Sequence, residues 1–254
     1  MDLYTWGIVG SFGLASLEGV YSILRKDHIH RLLGTLGNLA RGVVLLVLSS
    51  RTFPFYFALL YPWLEANGYL LPSHGHISTR AFLLCLLCID LCWYCFHRIH
   101  HAWSFFWTFH SVHHGDNAFN LSSAFRISWL EQLYLFFFYA PVLLLGFHPN
   151  LFFLAIFYLN LHQFFCHSQY IRLPRFFDWI FVTPHNHRIH HDQALVHQQG
   201  NFGAIFSLWD RLFGTYIPAI ETFTPGIKGY HQDDFIKMET DPILAYLKKK
   251  FGRY

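Results

Sequence analysis

Five apolar runs divide this chain, at about 4–24, 42–64, 81–96, 129–146 and 150–166. Each is near the ~20 residues a helix needs to cross a bilayer, with the last three on the short side. Composition points the same way. Hydrophobic residues make up 54% of the chain and charged residues only 13%, against about 25% charged in a soluble domain. We therefore expect an all-α fold, an integral membrane helical bundle, with residues 1–254 forming a single domain. The first run carries Gly7, Gly10, Gly13, Ser16 and Gly19, small residues that allow close helix packing. Met1-Asp2-Leu3 lacks the basic start of a cleaved signal peptide, so that run is expected to be retained. Arg51 interrupts the second run. The fourth and fifth form a hairpin that turns at Gly146-Phe147-His148-Pro149-Asn150.

Basic residues set the orientation. With the N-terminus outside, segments 25–41, 97–128 and 167–254 share the inner side and hold sixteen of the eighteen Lys and Arg. That bias favours a cytosolic inner side. The hairpin then enters the membrane and returns, which brings the segment after 167 beside the segment at 97–114. The net charge of +3 is too small to argue for nucleic acid, and no basic patch interleaved with aromatics occurs.

Those two segments are where histidine concentrates. The chain has 19 histidines, more than its 18 Lys and Arg. His97-Arg98-Ile99-His100-His101 contains an HxxxH. His110-Ser111-Val112-His113-His114 and His187-Arg188-Ile189-His190-His191 are both HxxHH. On a helix, i and i+4 share a face, as do i and i+3. HxxxH therefore aims two imidazoles at one point. HxxHH aims two to one side and a third about 100° round, able to reach a neighbouring ion. His97, His101, His110, His113, His114, His187, His190 and His191 together can fill two coordination spheres of about four ligands each. His100 points off the HxxxH face. His162, His185 and His197 are open as further ligands. His28, His30, His74, His76, His148 and His231 read as loop or interface residues.

Imidazole ligation suits iron, copper, zinc or nickel. A dinuclear centre beside lipid argues for oxygen activation and hence two iron ions, with zinc able to substitute during purification. Cys85, Cys88, Cys92 and Cys95 resemble a zinc site but lie on one helix over about 15 Å, so they read as a packing seam. Asp90 stands two turns before His97 on the same face, where a carboxylate can fix a ligand imidazole. Asn120, Arg126, Glu131, Asn201 and Asp210 read as structural polar groups. Residues 235–254 combine Ile236, Ile243, Leu244 and Leu247 with Lys248-Lys249-Lys250, the pattern of a basic amphipathic helix at a membrane surface or of a solvated tail. A metal transporter would place its ligands near mid-bilayer. A cytochrome does not account for the HxxHH repeats, and a hydrolase needs a carboxylate base within the boxes.

The three boxes resemble the fatty acid hydroxylase / sterol desaturase superfamily of membrane non-haem di-iron oxygenases. Further matching features are Asp90 before His97-Arg98, Asn120-Leu-Ser-Ser-Ala-Phe-Arg126, His167 after the hairpin, Thr183-Pro184, Asn201-Phe-Gly, and Trp209-Asp-Arg-Leu-Phe-Gly-Thr215. The likeness covers about Arg31 to Tyr216, with the boxes at about 81–216. Between His110 and Arg126 it is nearest the branch of alkylglycerol monooxygenases and bacterial sterol desaturase-like proteins. Relatives there often carry Glu after HxxxH, whereas Ala102 stands here. The resemblance implies O2-dependent hydroxylation of a lipid C–H bond, or desaturation on the same centre, by a histidine-rich cap on the cytosolic side. It implies that the eight box histidines are metal ligands and that His167 joins them. The membrane is then a bacterial inner membrane or endoplasmic reticulum. No His-Pro-Gly-Gly haem-binding stretch occurs, so electrons are expected from a separate redox protein or a reductant such as a pterin.

Overall fold

The computed structural model describes residues 3–67, 78–218, 222–230 and 233–252. Met1, Asp2, His74, His76 and His231 lie outside the described residues. The chain is 71% helical, and among the described residues strands are absent apart from isolated bridges. Helix α1 spans Leu3–Arg25, α2 Leu32–Ala66 and α3 Thr79–Ala102. These three are long and apolar enough to cross a membrane. Helices α5 (Trp129–Leu144) and α6 (Pro149–Cys166) form a shorter hairpin of 16 and 18 residues. The turn between them uses Gly146 at φ +83°, a backbone region open to glycine. The His148 ring then accepts from Asn150 N–H to cap α6, with Pro149 in its first turn.

The apolar core lies where α3 meets the hairpin. Ile89 and Cys85 of α3 pack with Phe136, Tyr139 and Leu143 of α5 and with Phe152 and Leu159 of α6. Cys88 and Cys92 border this core and Cys95 is exposed, all as free thiols. The cysteine stripe is thus a packing seam.

Helix α2 begins ten residues before the apolar run that marks it. At 1.5 Å per residue its 35 residues reach about 52 Å, beyond the ~30 Å of bilayer hydrocarbon. Among the first ten, Thr35, Asn38 and Arg41 bury their polar side chains in the cap. Asn38 donates to Asp116 Oδ2 at 2.9 Å and to Ser122 Oγ at 3.2 Å. The fully buried Arg41 donates to Glu239 Oε1 at 2.6 Å and to the carbonyls of Phe235 and Ile127. Glu239 sits on α9 (Lys237–Phe251), so this pair ties the C-terminal helix to α2. Arg51 is exposed within α2. Ile236, Leu244, Leu247 and Phe251 are exposed around α9, near Lys248–Lys250.

The cap gathers the ends of the membrane helices. The buried Glu18 of α1 accepts from Leu121 N–H at 2.7 Å and Ser168 Oγ at 2.8 Å, and it pairs with the buried His30 at 3.0 Å. It thereby joins α1 to the segments that follow α4 (Ser104–His114) and α6. The remaining cap helices are α7 (Pro184–His190) and α8 (Leu208–Leu212).

Candidate metal centre

Each histidine motif is carried by a helix. His97 and His101 occupy the last turns of α3. Trp103 then breaks the helix with extended dihedrals (φ −114°, ψ 120°), and α4 packs back against α3. His110, His113 and His114 fill the end of α4, while His187, His190 and His191 come from α7 and its cap. His167 closes α6.

All nine are buried and fall into two groups. His97, His101, His110, His114 and His190 form one; His113, His167, His187 and His191 form the other. Within each group one donor nitrogen per residue lies within 4.8 Å of the rest. Both HxxHH motifs are therefore split. Their first and last histidines serve one group and their middle histidine the other, with opposite assignments in α4 and α7. The groups abut where the His114 and His191 rings stack at 4.3 Å between centroids.

The donor set fits metal ions. Nδ1 of His97, His113, His167 and His190 donates to the carbonyls of Phe202, Arg126, Gln163 and Gly200 at 2.9, 3.2, 2.7 and 2.8 Å. With Nδ1 protonated, each Nε2 keeps a lone pair turned inward. Nε2 of His97, His110, His190 and His191 has no hydrogen-bond partner, nor has either nitrogen of His101 or His114. So many orphaned nitrogens in one buried volume are costly unless something binds them. Burial, reinforced mainly by neighbouring imidazoles, holds His110, His113, His114, His187, His190 and His191 well below the usual histidine range. They are neutral, as metal ligation requires.

The surroundings hold these rings in place. The buried Arg126 donates to the Val112 and Gly115 carbonyls at the end of α4, and its own carbonyl takes the His113 proton. Asp210 accepts from Phe202 and Gly203 N–H at 2.8 Å each, which fixes the carbonyl opposite His97. Asn120 caps the turn at Leu121–Phe125. Asn201, at φ +58°, donates to the Asn186 and Ile217 carbonyls. The Asp90 carboxylate accepts from Ile205 N–H, Phe206 N–H and Trp209 Nε1 at 2.7, 3.1 and 2.9 Å. It anchors the loop that carries Phe202, while His97 donates its own hydrogen bond to the Phe202 carbonyl. Glu131 does what sequence reasoning considered for Asp90. Its Oε1 lies 3.2 Å from His110 Nδ1. The signal was present in the sequence, because Glu131 is the sole acid between Trp129 and Cys166.

Other histidines stay outside both groups. His100 bonds the Phe96 carbonyl and Tyr134 Oη at 2.7 and 2.8 Å. His162 donates to the Val182 carbonyl, and His197 faces Asp192 at 3.1 Å. His185 is half-buried and joins neither group.

A cavity of about 490 Å³ ends at the histidines. Its walls come from α1, α2, α5 and α6, including Phe12, Leu45, Phe53, Phe153 and Phe157, and it reaches His97, His110, His113, His167 and His187.

The sequence profile described as fatty acid hydroxylase matches residues 82–215, which contain all nine histidines. The chain belongs to the fatty acid hydroxylase family. It is similar to the alkylglycerol monooxygenase of Danio rerio, 31% identical over 218 residues, covering 85% of this chain and 48% of that one. It is also similar to the ornithine lipid hydroxylase OlsE of Rhizobium tropici, 26% identical over 82% of this chain and 64% of that one. Human cholesterol 25-hydroxylase is 32% identical over 59% of this chain and 54% of its own length. The chain spans less than half the length of the alkylglycerol monooxygenases it matches. No solved structure matches the chain significantly.

Proposed function

We propose that the chain is a membrane-bound di-iron lipid hydroxylase, with His97, His101, His110, His114 and His190 holding one iron and His113, His167, His187 and His191 the other. The observation that carries this reading is the set of neutral, orphaned imidazoles in two abutting groups at the end of an apolar cavity. Family membership and relatives named as hydroxylases and monooxygenases support the reaction class. Iron bound there would supply O2 activation and oxidation of a C–H bond. Hydroxylation consumes O2, two electrons and two protons, and yields the alcohol and water. The electrons come from outside the chain, from a separate redox protein or a small reductant such as a pterin.

The chain's own residues bind, orient and shield. The aromatic walls accept a lipid tail and exclude water. Glu131 and the carbonyls of Phe202, Arg126, Gln163 and Gly200 hold the imidazoles in one tautomer. The basic loops favour a cytosolic position for the cap. A transport reading is disfavoured by the cavity, because a metal path needs polar walls and these are mostly apolar.

The test is metal content of anaerobically purified protein, wild type beside His113→Ala and His190→Ala. About two irons per chain, reduced in both variants, supports the assignment. Metal unaffected by either change overturns it.

A further inference from the structure

The cavity follows α6. Phe153 and His167 both line it; fourteen positions apart on α6, they are separated by about 21 Å along the helix. Among the described residues no Lys or Arg lines it. Most of its polar groups are already engaged. Ser11 and Ser50 donate to carbonyls of their own helices. Glu131 faces His110, and Gln163 donates to the Ala204 carbonyl at 2.6 Å.

Trp93 Nε1 and Tyr139 Oη are buried at the wall without a partner among the described residues, and two carboxamides are left beside them. Gln132 is 93% buried (7% exposed), and its Oε1 accepts from Ser49 Oγ at 2.9 Å while its amino group has no partner among the described residues. Asn160 is exposed and lines the same cavity, and no residue among those described hydrogen-bonds its side chain. The hairpin puts them at one height. Gln132 lies twelve residues before the end of α5, and Asn160 eleven residues after the start of α6. Asn160 precedes His167 by seven residues, about 10 Å along the helix. The buried, unpaired Gln132 amino group among apolar walls is unfavourable, so a hydrogen-bonding occupant at this height relieves it.

We propose that Gln132 and Asn160 recognise a neutral oxygen function of the lipid, and so fix which carbon reaches the metal centre. The inference rests on the hydroxylase reading and adds the substrate's chemistry to it. The free group of Gln132 is an N–H donor, Trp93 Nε1–H and Tyr139 Oη–H also donate, and the Asn160 carboxamide can turn its amino group to the same point, so the partner is an acceptor: a hydroxyl, ether or carbonyl oxygen. No cation lines the cavity to pair a negative group, so an anionic group is disfavoured there. The oxidised carbon lies within about 10 Å of that oxygen, and the tail packs beyond it against Phe153 and Phe157.

The test is binding of radiolabelled 1-hexadecanol to the purified, metal-loaded protein in detergent, competed by hexadecane or palmitate. Wild type is compared with Asn160→Leu, Gln132→Leu and Asn160→Ser. Taking the hexadecanol-to-hexadecane affinity ratio of each variant relative to wild type cancels partitioning into micelles. The ratio is expected to fall about three- to tenfold in each Leu variant, the worth of one hydrogen bond, and to recover in part in Asn160→Ser. Metal content and melting temperature show that the variants are folded. Palmitate is expected to compete poorly. An unchanged ratio in both Leu variants, or palmitate competing as well as hexadecanol, overturns the inference. Binding needs no turnover, so the two readings fail separately. A side-chain-dependent alcohol preference in protein that hydroxylates nothing keeps the recognition by Gln132 and Asn160 and removes the hydroxylase. Hydroxylation with no such preference does the reverse.

Discussion

His113 Nε2 stands 3.2 Å from His167 Nε2 although 54 residues separate them, and His187 Nε2 lies 3.1 Å from His167 on another side. Three elements, α4, α6 and α7, thus converge on one imidazole. His167 belongs to no box, yet the second group is assembled around it.

Replacing His167 with Ala is expected to empty the second group and spare the first, since its five members come from α3, α4 and α7. Metal analysis should fall from about two ions per chain toward one, with hydroxylation lost. Retention of both ions would remove His167 from the ligand set.

Glu131 holds His110 from behind. Loss of such a supporting carboxylate lowers metal affinity or activity about 10–100-fold. Glu131→Leu should show that loss in chelator competition. Glu131→Gln keeps a carbonyl acceptor for His110 Nδ1–H and should lose less. Equal affinity in wild type and Glu131→Leu would make Glu131 a packing residue only.

Gly42 lines the cavity. A Cβ there would meet the Phe12 ring at 2.8 Å and the Phe125 ring at 3.0 Å, and those rings stack at 4.5 Å. Gly42→Leu should therefore obstruct lipid entry, lowering turnover at least about tenfold while metal content stays at the wild-type level. Product formation per bound metal reads this directly.

Acid should destabilise the metal-free protein. Burial lowers the six cap histidines of α4 and α7 below the ordinary value of 6.5. Their contribution is complete above about pH 6.5. It is lost as pH falls, because the unfolded chain then binds protons that the folded chain refuses. Melting temperature of chelator-treated protein in detergent should drop from pH 7.5 to pH 5. A flat profile would contradict it.

The sequence by itself determined the helices and the chemistry. Apolar runs of near membrane length give α1–α3 and the hairpin, and 3.6-residue periodicity puts each HxxxH or HxxHH on a helix face. Spacing also set His100 aside, and read the cysteines of α3 as a seam. Only the tertiary structure decided what these faces meet. Periodicity reports which side of a helix is buried, not which distant side chain arrives there. The splitting of both HxxHH motifs between the two groups follows from how α4 and α7 pack. Asp90 and Glu131 exchanged their expected parts for the same reason: Asp90 is taken up by the N–H groups of Ile205 and Phe206, 115 and 116 residues away, while the fold of α5 brings Glu131 to His110. The start of α2 was hidden because Thr35, Asn38 and Arg41, whose polar side chains it buries in the cap, interrupt the apolar pattern there.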